Sequence, residues 1–185
     1  MQPKQKKTPM NIDTQERYGS TSRLLHWGMA LLVGWQFLKF FDRIDDGEHW
    51  AGQTLVSWHV SIGTLLLLLV AWRIVWALGQ RHNRPLAPPP PAMALLAKAG
   101  HLLLYACLAL LPLAGIAILI GKGYGLSVFG IELAAKGSEI PWLASLGGTV
   151  HSPAAWLLLI LVIGHAGMAL VHHFVRKDGV LRRML

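Results

Sequence analysis

The stretch "VHSPAAWLLLILVIGHAGMALVHHF", residues 150–174, reads as one long apolar helix, yet it carries His151, His165, His172 and His173. A helix crosses a bilayer with about 20 mostly apolar residues, and ionisable side chains at that depth are costly and mark functional positions. His151 and His165 are 14 residues apart. At about 100° per residue they face nearly the same way, and at about 1.5 Å rise per residue they stand roughly 21 Å apart along the axis. One helix therefore presents two imidazoles on one side, one near each membrane face. That arrangement suits two separate sites, not one shared metal ion.

Working outward, the composition favours a membrane protein. Of 185 residues 54% are hydrophobic and 14% charged, and the mean hydropathy is +0.45. Spans are expected at Leu24–Phe41, Leu55–Leu78, His101–Ile120 and Val150–Val175. The first is the weakest, since it holds His26, Gln36 and Lys39. It is read as a retained span, because it begins late and lacks a small-residue cleavage site at its end. The expected fold class is all-α, a four-helix transmembrane bundle spanning residues 23–175. A flexible cytoplasmic segment, residues 1–22, precedes it, with Ser and Thr of "RYGSTSR" suited to the helix N-cap. A basic cytoplasmic tail, residues 176–185, follows. The outer stretch from Gly121 to Thr149 is expected to lie over the bundle mouth.

The net charge of +8 is explained by topology. Four spans put both termini and the loop after Leu78 on one side, with Lys4, Lys6, Lys7, Arg17, Arg23, Arg81, Arg84, Lys98, Arg176, Lys177, Arg182 and Arg183. The other side holds Lys39, Arg43, Lys122 and Lys136. This asymmetry places the basic side in the cytoplasm. The charge is directed at membrane lipid and argues against a nucleic-acid partner. Cys107 stands alone inside the third span, so no disulfide framework exists, and it reads as a packing residue.

Each histidine of the fourth span needs a partner at its own depth. His26, early in the first span, matches His165 on the cytoplasmic side, and His59, opening the second, matches His151 on the outer side. Two imidazoles flanking a flat macrocycle hold a haem iron, and bundle cores carry such cofactors. Without a Cys-x-x-Cys-His motif, thioether links are excluded. Gly28, Ser61, Gly63, Gly164, Ala166 and Gly167 give room beside these positions. Arg23, one turn before His26, and Arg73 are candidates to bind haem propionates by charge-assisted hydrogen bonds. His101, at the start of the third span, is a candidate contact for a haem edge or propionate. His172 is a candidate quinone contact and proton relay, because imidazole titrates near neutral pH. The plainer alternatives are histidines that only bond between helices and, for His172 and His173, ordinary interfacial residues. His49 and His82 read as solvated loop residues, and the tryptophans mainly as interface anchors.

The segments "SRLLHWGMALLV", "WHVSIGTLLLLLVAWRIVWAL", "HLLLYACLALLPLAGIAIL" and "HSPAAWLLLILVIGHAGMALVHHF" together resemble the bacterial cytochrome b561 family, which also embraces the cytochrome b subunits of nickel hydrogenases. The resemblance covers roughly Arg17 to Leu185. It implies a four-span inner-membrane protein with two haem b groups that exchanges electrons with ubiquinone, and with His26, His59, His151 and His165 as axial metal ligands. Some members oxidise superoxide at the periplasmic face, so superoxide or a periplasmic redox protein is the expected donor. The outer loops set Lys39, Arg43, Lys122 and Lys136 against Asp42, Asp45, Asp46, Glu48, Glu132 and Glu139, which offers no cationic funnel for an anion. Two further readings are a haem-bearing anchor subunit of a larger respiratory enzyme such as a hydrogenase, and a histidine-lined metal or proton transporter. No nucleophile–base pair or paired carboxylates suggest acid–base catalysis.

Overall fold

The computed structural model describes residues 10–42, 54, 56–85 and 91–185. The acidic connection 43–53, with His49, and the proline run 86–90 lie outside the described residues. Four long helices carry the fold: α1 (Ser20–Gln36), α3 (His59–Gly79), α4 (Pro91–Gly121) and α5 (Pro141–Leu170). A short helix α2 (Leu38–Asp42) follows α1. The π-helical turn Val171–Arg176 continues α5.

Three of these helices are long and apolar enough to cross a bilayer: His59–Gly79, Met93–Gly121 and Pro141–Arg176, with hydropathies of 2.0, 2.6 and 2.3. At 17 residues, α1 falls short of the usual crossing length and breaks at Phe37 before α2. These three helices are apolar around most of their circumference. Leu31, Leu68, Leu102 and Ile160 face outward, where acyl chains replace water. A narrow interior seam joins Met29 and Val33 of α1, Ile62, Leu66 and Val70 of α3, Cys107 of α4 and Leu158 of α5. Cys107 is thus a buried packing residue.

Two spans prove longer than the apolar runs alone indicated. The helix α4 begins at Pro91, and α5 begins at Pro141, with proline in the first turn, where its missing N–H costs nothing. Here α4 and α5 approach closely. A Cβ on Gly147 would lie 2.6 Å from the Ala114 carbonyl oxygen, so only glycine fits. Between them an antiparallel hairpin, β1 (Leu126–Val128) and β2 (Ile131–Ala134), adds strand structure that the all-α expectation lacked. Its turn places Phe129 and Gly130 at φ 51° and 82°, the positive-φ pair that matches strand twist in a two-residue hairpin. The hairpin leans on the bundle, because Phe129 N–H donates to Ser61 Oγ at 2.9 Å.

The opposite end carries the segment 10–19 and the C-terminal segment. Residues 10–19, expected to be flexible, are tied down. Asp13 is 1% exposed and accepts the Gly19 N–H at 2.9 Å. The N-cap of α1 is Gly19 with no side-chain cap bond, so neither Ser nor Thr takes that role. The C-terminal segment returns to the same place: Arg183 and Met184 carbonyls accept from Tyr18 N–H and Trp27 Nε1–H at 3.1 and 2.9 Å.

Candidate functional site

Two imidazole pairs form, one toward each end of the bundle. At the hairpin end His59, the first residue of α3, faces His151 of α5, with ring centroids 6.1 Å apart and planes at 74°. At the end carrying the C-terminal segment His26 of α1 faces His165 of α5, also at 6.1 Å and with planes at 68°. The 14-residue spacing on α5 is what serves both ends from one helix face.

That separation can be tested against a metal. A metal–imidazole bond is about 2.0 Å and the ring centre lies about 1.1 Å beyond the nitrogen, so imidazoles on opposite sides of one ion have centroids about 6.2 Å apart. Both pairs meet this value. Among the described residues no group of three or more His, Cys, Asp or Glu side chains is arranged to hold an ion. Two donors per site fit a group that brings its own equatorial nitrogens, as a haem does.

The surroundings fit as well. The hairpin-end pair, called the outer pair below, opens on a cavity of about 260 Å³ with mainly apolar walls from Val33, Leu66, Leu108, Pro112, Ile116 and Leu158, suited to a flat apolar ring. Nδ1–H of His151 donates to the Leu111 carbonyl at 3.0 Å, which fixes the ring and leaves the lone pair on Nε2. Gly115 stands beside that ring: a Cβ there would lie 3.3 Å from His151 Cε1. Gln36 Nε2–H donates to the His59 carbonyl at 2.9 Å, joining α1 to the start of α3. The sequence reading missed Leu111 and Gly115. A glycine within the apolar run "PLAGIAIL" was the available signal for the second.

The other pair, His26 and His165, called the inner pair below, is more polar. His101 of α4 packs 5.3 Å from His165, closer than His26 does, and its Nδ1–H donates to the Ala97 carbonyl at 2.7 Å. Arg73 of α3 donates from Nη2 to His26 Nδ1 at 3.3 Å and from Nε to Tyr105 Oη at 2.9 Å. A cavity of about 290 Å³ adjoins, lined by Ser22, Arg73, Trp76, Arg84, Lys98, His101 and Tyr105. Tyr105 also escaped the sequence reading, although it lies four residues after His101 on the same helix face.

Two expected site residues are engaged elsewhere. Arg23 donates to the Leu185 main-chain carbonyl, and Arg23 lines neither cavity. His172, on the π-helical turn, bonds Asp178 through Nδ1 at 2.5 Å. This bond, helped by the Val180 N–H, holds the Asp178 carboxyl below its ordinary 3.8. Of the small residues, Gly63 lines the outer cavity, Ser61 holds the hairpin, and a Cβ on Gly28, Gly164 or Gly167 would meet no atom within 4 Å.

Comparison with known proteins gives a consistent picture. Residues 17–185 match the family model described as prokaryotic cytochrome b561. Cytochrome b561 homolog 2 of Escherichia coli (strain K12) is 34% identical over 179 residues, 94% of this chain and 93% of that protein. Cytochrome b561 homolog 1 of the same organism is 29% identical over 91% of this chain and 97% of its own length. A protein of Yersinia pestis named probable superoxide oxidase CybB is 29% identical, covering 92% and 96%.

Proposed function

Since the chain belongs to the prokaryotic cytochrome b561 family of membrane proteins carrying b-type haem, we propose that it is a di-haem cytochrome of the bacterial inner membrane. In this reading the axial pairs are His26 with His165 toward the cytoplasm and His59 with His151 toward the periplasm. The observation that carries it is the shared 6.1 Å separation of both pairs, the value expected of imidazoles on opposite sides of one iron.

Bound haem supplies one-electron carriage, and the protein supplies placement and tuning. Leu111 fixes the His151 ring, Gly115 leaves space beside it, and the apolar wall of the outer cavity keeps water away. Arg73 and His101 are the side chains set to contact the inner haem. The acceptor in this reading is ubiquinone, and the donor on the periplasmic side is superoxide, which the relative named probable superoxide oxidase favours. Two superoxide ions would release two electrons and become dioxygen, while one quinone takes those electrons with two protons to become quinol. Asp178 holds Nδ1 of His172, which leaves Nε2 as the atom to meet a quinone in this reading.

Stopped-flow mixing tests the reading. The detergent-solubilised protein should be red, should be reduced within the mixing experiment by superoxide, and should be reoxidised by a soluble quinone. A colourless protein would sink the haem assignment. Haem that superoxide leaves oxidised would point to a protein donor instead.

A further inference from the structure

The two imidazole pairs share a spacing but differ in what stands behind them. Behind His151 is a neutral acceptor, the Leu111 carbonyl, at 3.0 Å. Such a partner makes a ligating ring more basic, which favours the oxidised metal. Behind His26 stands a permanent cation. Arg73 Nη2 lies 3.3 Å from its Nδ1; a ring that ligates through Nε2 keeps its proton on Nδ1 and a guanidinium can only donate, so Arg73 acts on this site by its charge and not as a hydrogen-bond partner of the ligating ring.

Among the described side chains Arg73 meets no anion. Its second partner is the neutral hydroxyl of Tyr105 at 2.9 Å, whose ring lies 6.0 Å from the guanidinium carbon. The cavity beside it adds Arg84 and Lys98 and no carboxylate. Asp13 answers Arg84 at 3.6 Å, and among the described residues no carboxylate pairs with Arg73. The outer cavity has its own cation, Lys39, but Lys39 is exposed and screened by water and salt. Arg73 is half-buried, where a charge is felt more strongly.

A cation beside a redox centre favours the reduced form, which carries one positive charge fewer. From this asymmetry we propose that the Arg73 charge, held beside His26, raises the potential of the inner haem above that of the outer one. An electron arriving at the hairpin end then runs downhill toward the end that carries the C-terminal segment. The inference rests on the axial-pair reading given above.

The test is a potentiometric titration of the full-length, haem-loaded protein at fixed pH, followed by low-temperature electron paramagnetic resonance. Arg73→Gln and Arg73→Met should each shift the reduction equilibrium of the higher-potential haem at least tenfold toward oxidised, about 59 mV for one electron. The other haem should stay where it was, and only one of the two low-spin signals should change. Arg73→Lys, which keeps the charge, should recover most of the shift. Unchanged potentials, equal shifts of both haems, or a Lys variant indistinguishable from Gln would overturn the proposal. So would loss of the inner haem in both uncharged variants, since Arg73 would then be a structural support. Fewer than two haems in the unmodified chain is a separate outcome and would sink the axial-pair reading itself.

Discussion

His59 and His151 stand 6.1 Å apart at one end of the bundle, the distance that also separates His26 from His165 at the other. The two pairs share α5 but take their second members from different helices, α3 and α1. Removing one second member should therefore empty one site and spare the other. Purified His59→Ala and His26→Ala should each hold half the haem of the parent, measured as pyridine haemochrome per polypeptide. Two haems retained in either variant would refute the pairing.

Gly115 presses on the outer pair from α4. Gly115→Ala puts a methyl carbon 3.3 Å from His151 Cε1, tight enough that the ring must shift by a few tenths of an ångström. Gly115→Leu cannot be absorbed that way, because side chains in packed interiors tolerate little added volume. The expected order of outer-haem occupancy is Gly, then Ala, then Leu, read from the visible spectrum after reduction, with the inner haem retained throughout.

Ser61 is buried and accepts the Phe129 N–H at 2.9 Å, the hydrogen bond that moors the hairpin to α3. Ser61→Ala leaves that N–H without its partner and should weaken hairpin docking by about 0.5–1.5 kcal/mol. Amide exchange at Phe129 should speed up by roughly a factor of ten, since about 1.4 kcal/mol is tenfold in an equilibrium constant. Exchange at Val70, deep in the seam, should not change.

The Asp178 carboxyl is held below its ordinary 3.8 first by its hydrogen bond to His172 and then by the Val180 N–H. A lowered carboxyl value means that the folded state prefers the ionised form. Its stabilising effect is therefore full above about 3.8 and disappears as the pH falls through the depressed value. The protection of the Val180 amide against exchange, relative to an unstructured chain at the same pH, should be present at neutral pH, where its N–H bonds Asp178 Oδ1 at 3.2 Å, and should fall in strong acid. Asp178→Asn should lower that protection at neutral pH and remove its fall in acid.

Much of this architecture was legible as sequence. The apolar runs predicted four spans, and three of them fall on helices long and apolar enough to cross a bilayer. The helix reading of residues 150–174 put His151 and His165 on one face, and matching by depth selected His26 and His59. These inferences need only chain order and helix geometry, which local sequence fixes. The hairpin was less accessible, because strands of three and four residues carry too little alternation to stand out. The lengths of α4 and α5 were underestimated, because a helix can continue past its apolar run once prolines sit in the first turn and glycines let neighbours close in.

Which neighbour each polar group meets was decided by the tertiary structure. The sequence placed Arg73 at the inner depth but could not turn it toward His26 and Tyr105, nor bring His101 nearer to His165 than His26 comes. Arg23, one turn from His26, is drawn instead to the returning C-terminal segment. The reason is physical. A membrane-spanning helix that is apolar on all sides has no polar stripe to fix its rotation, so packing of Met29, Leu66, Cys107 and Leu158 sets the angle at which every histidine and arginine enters the interior.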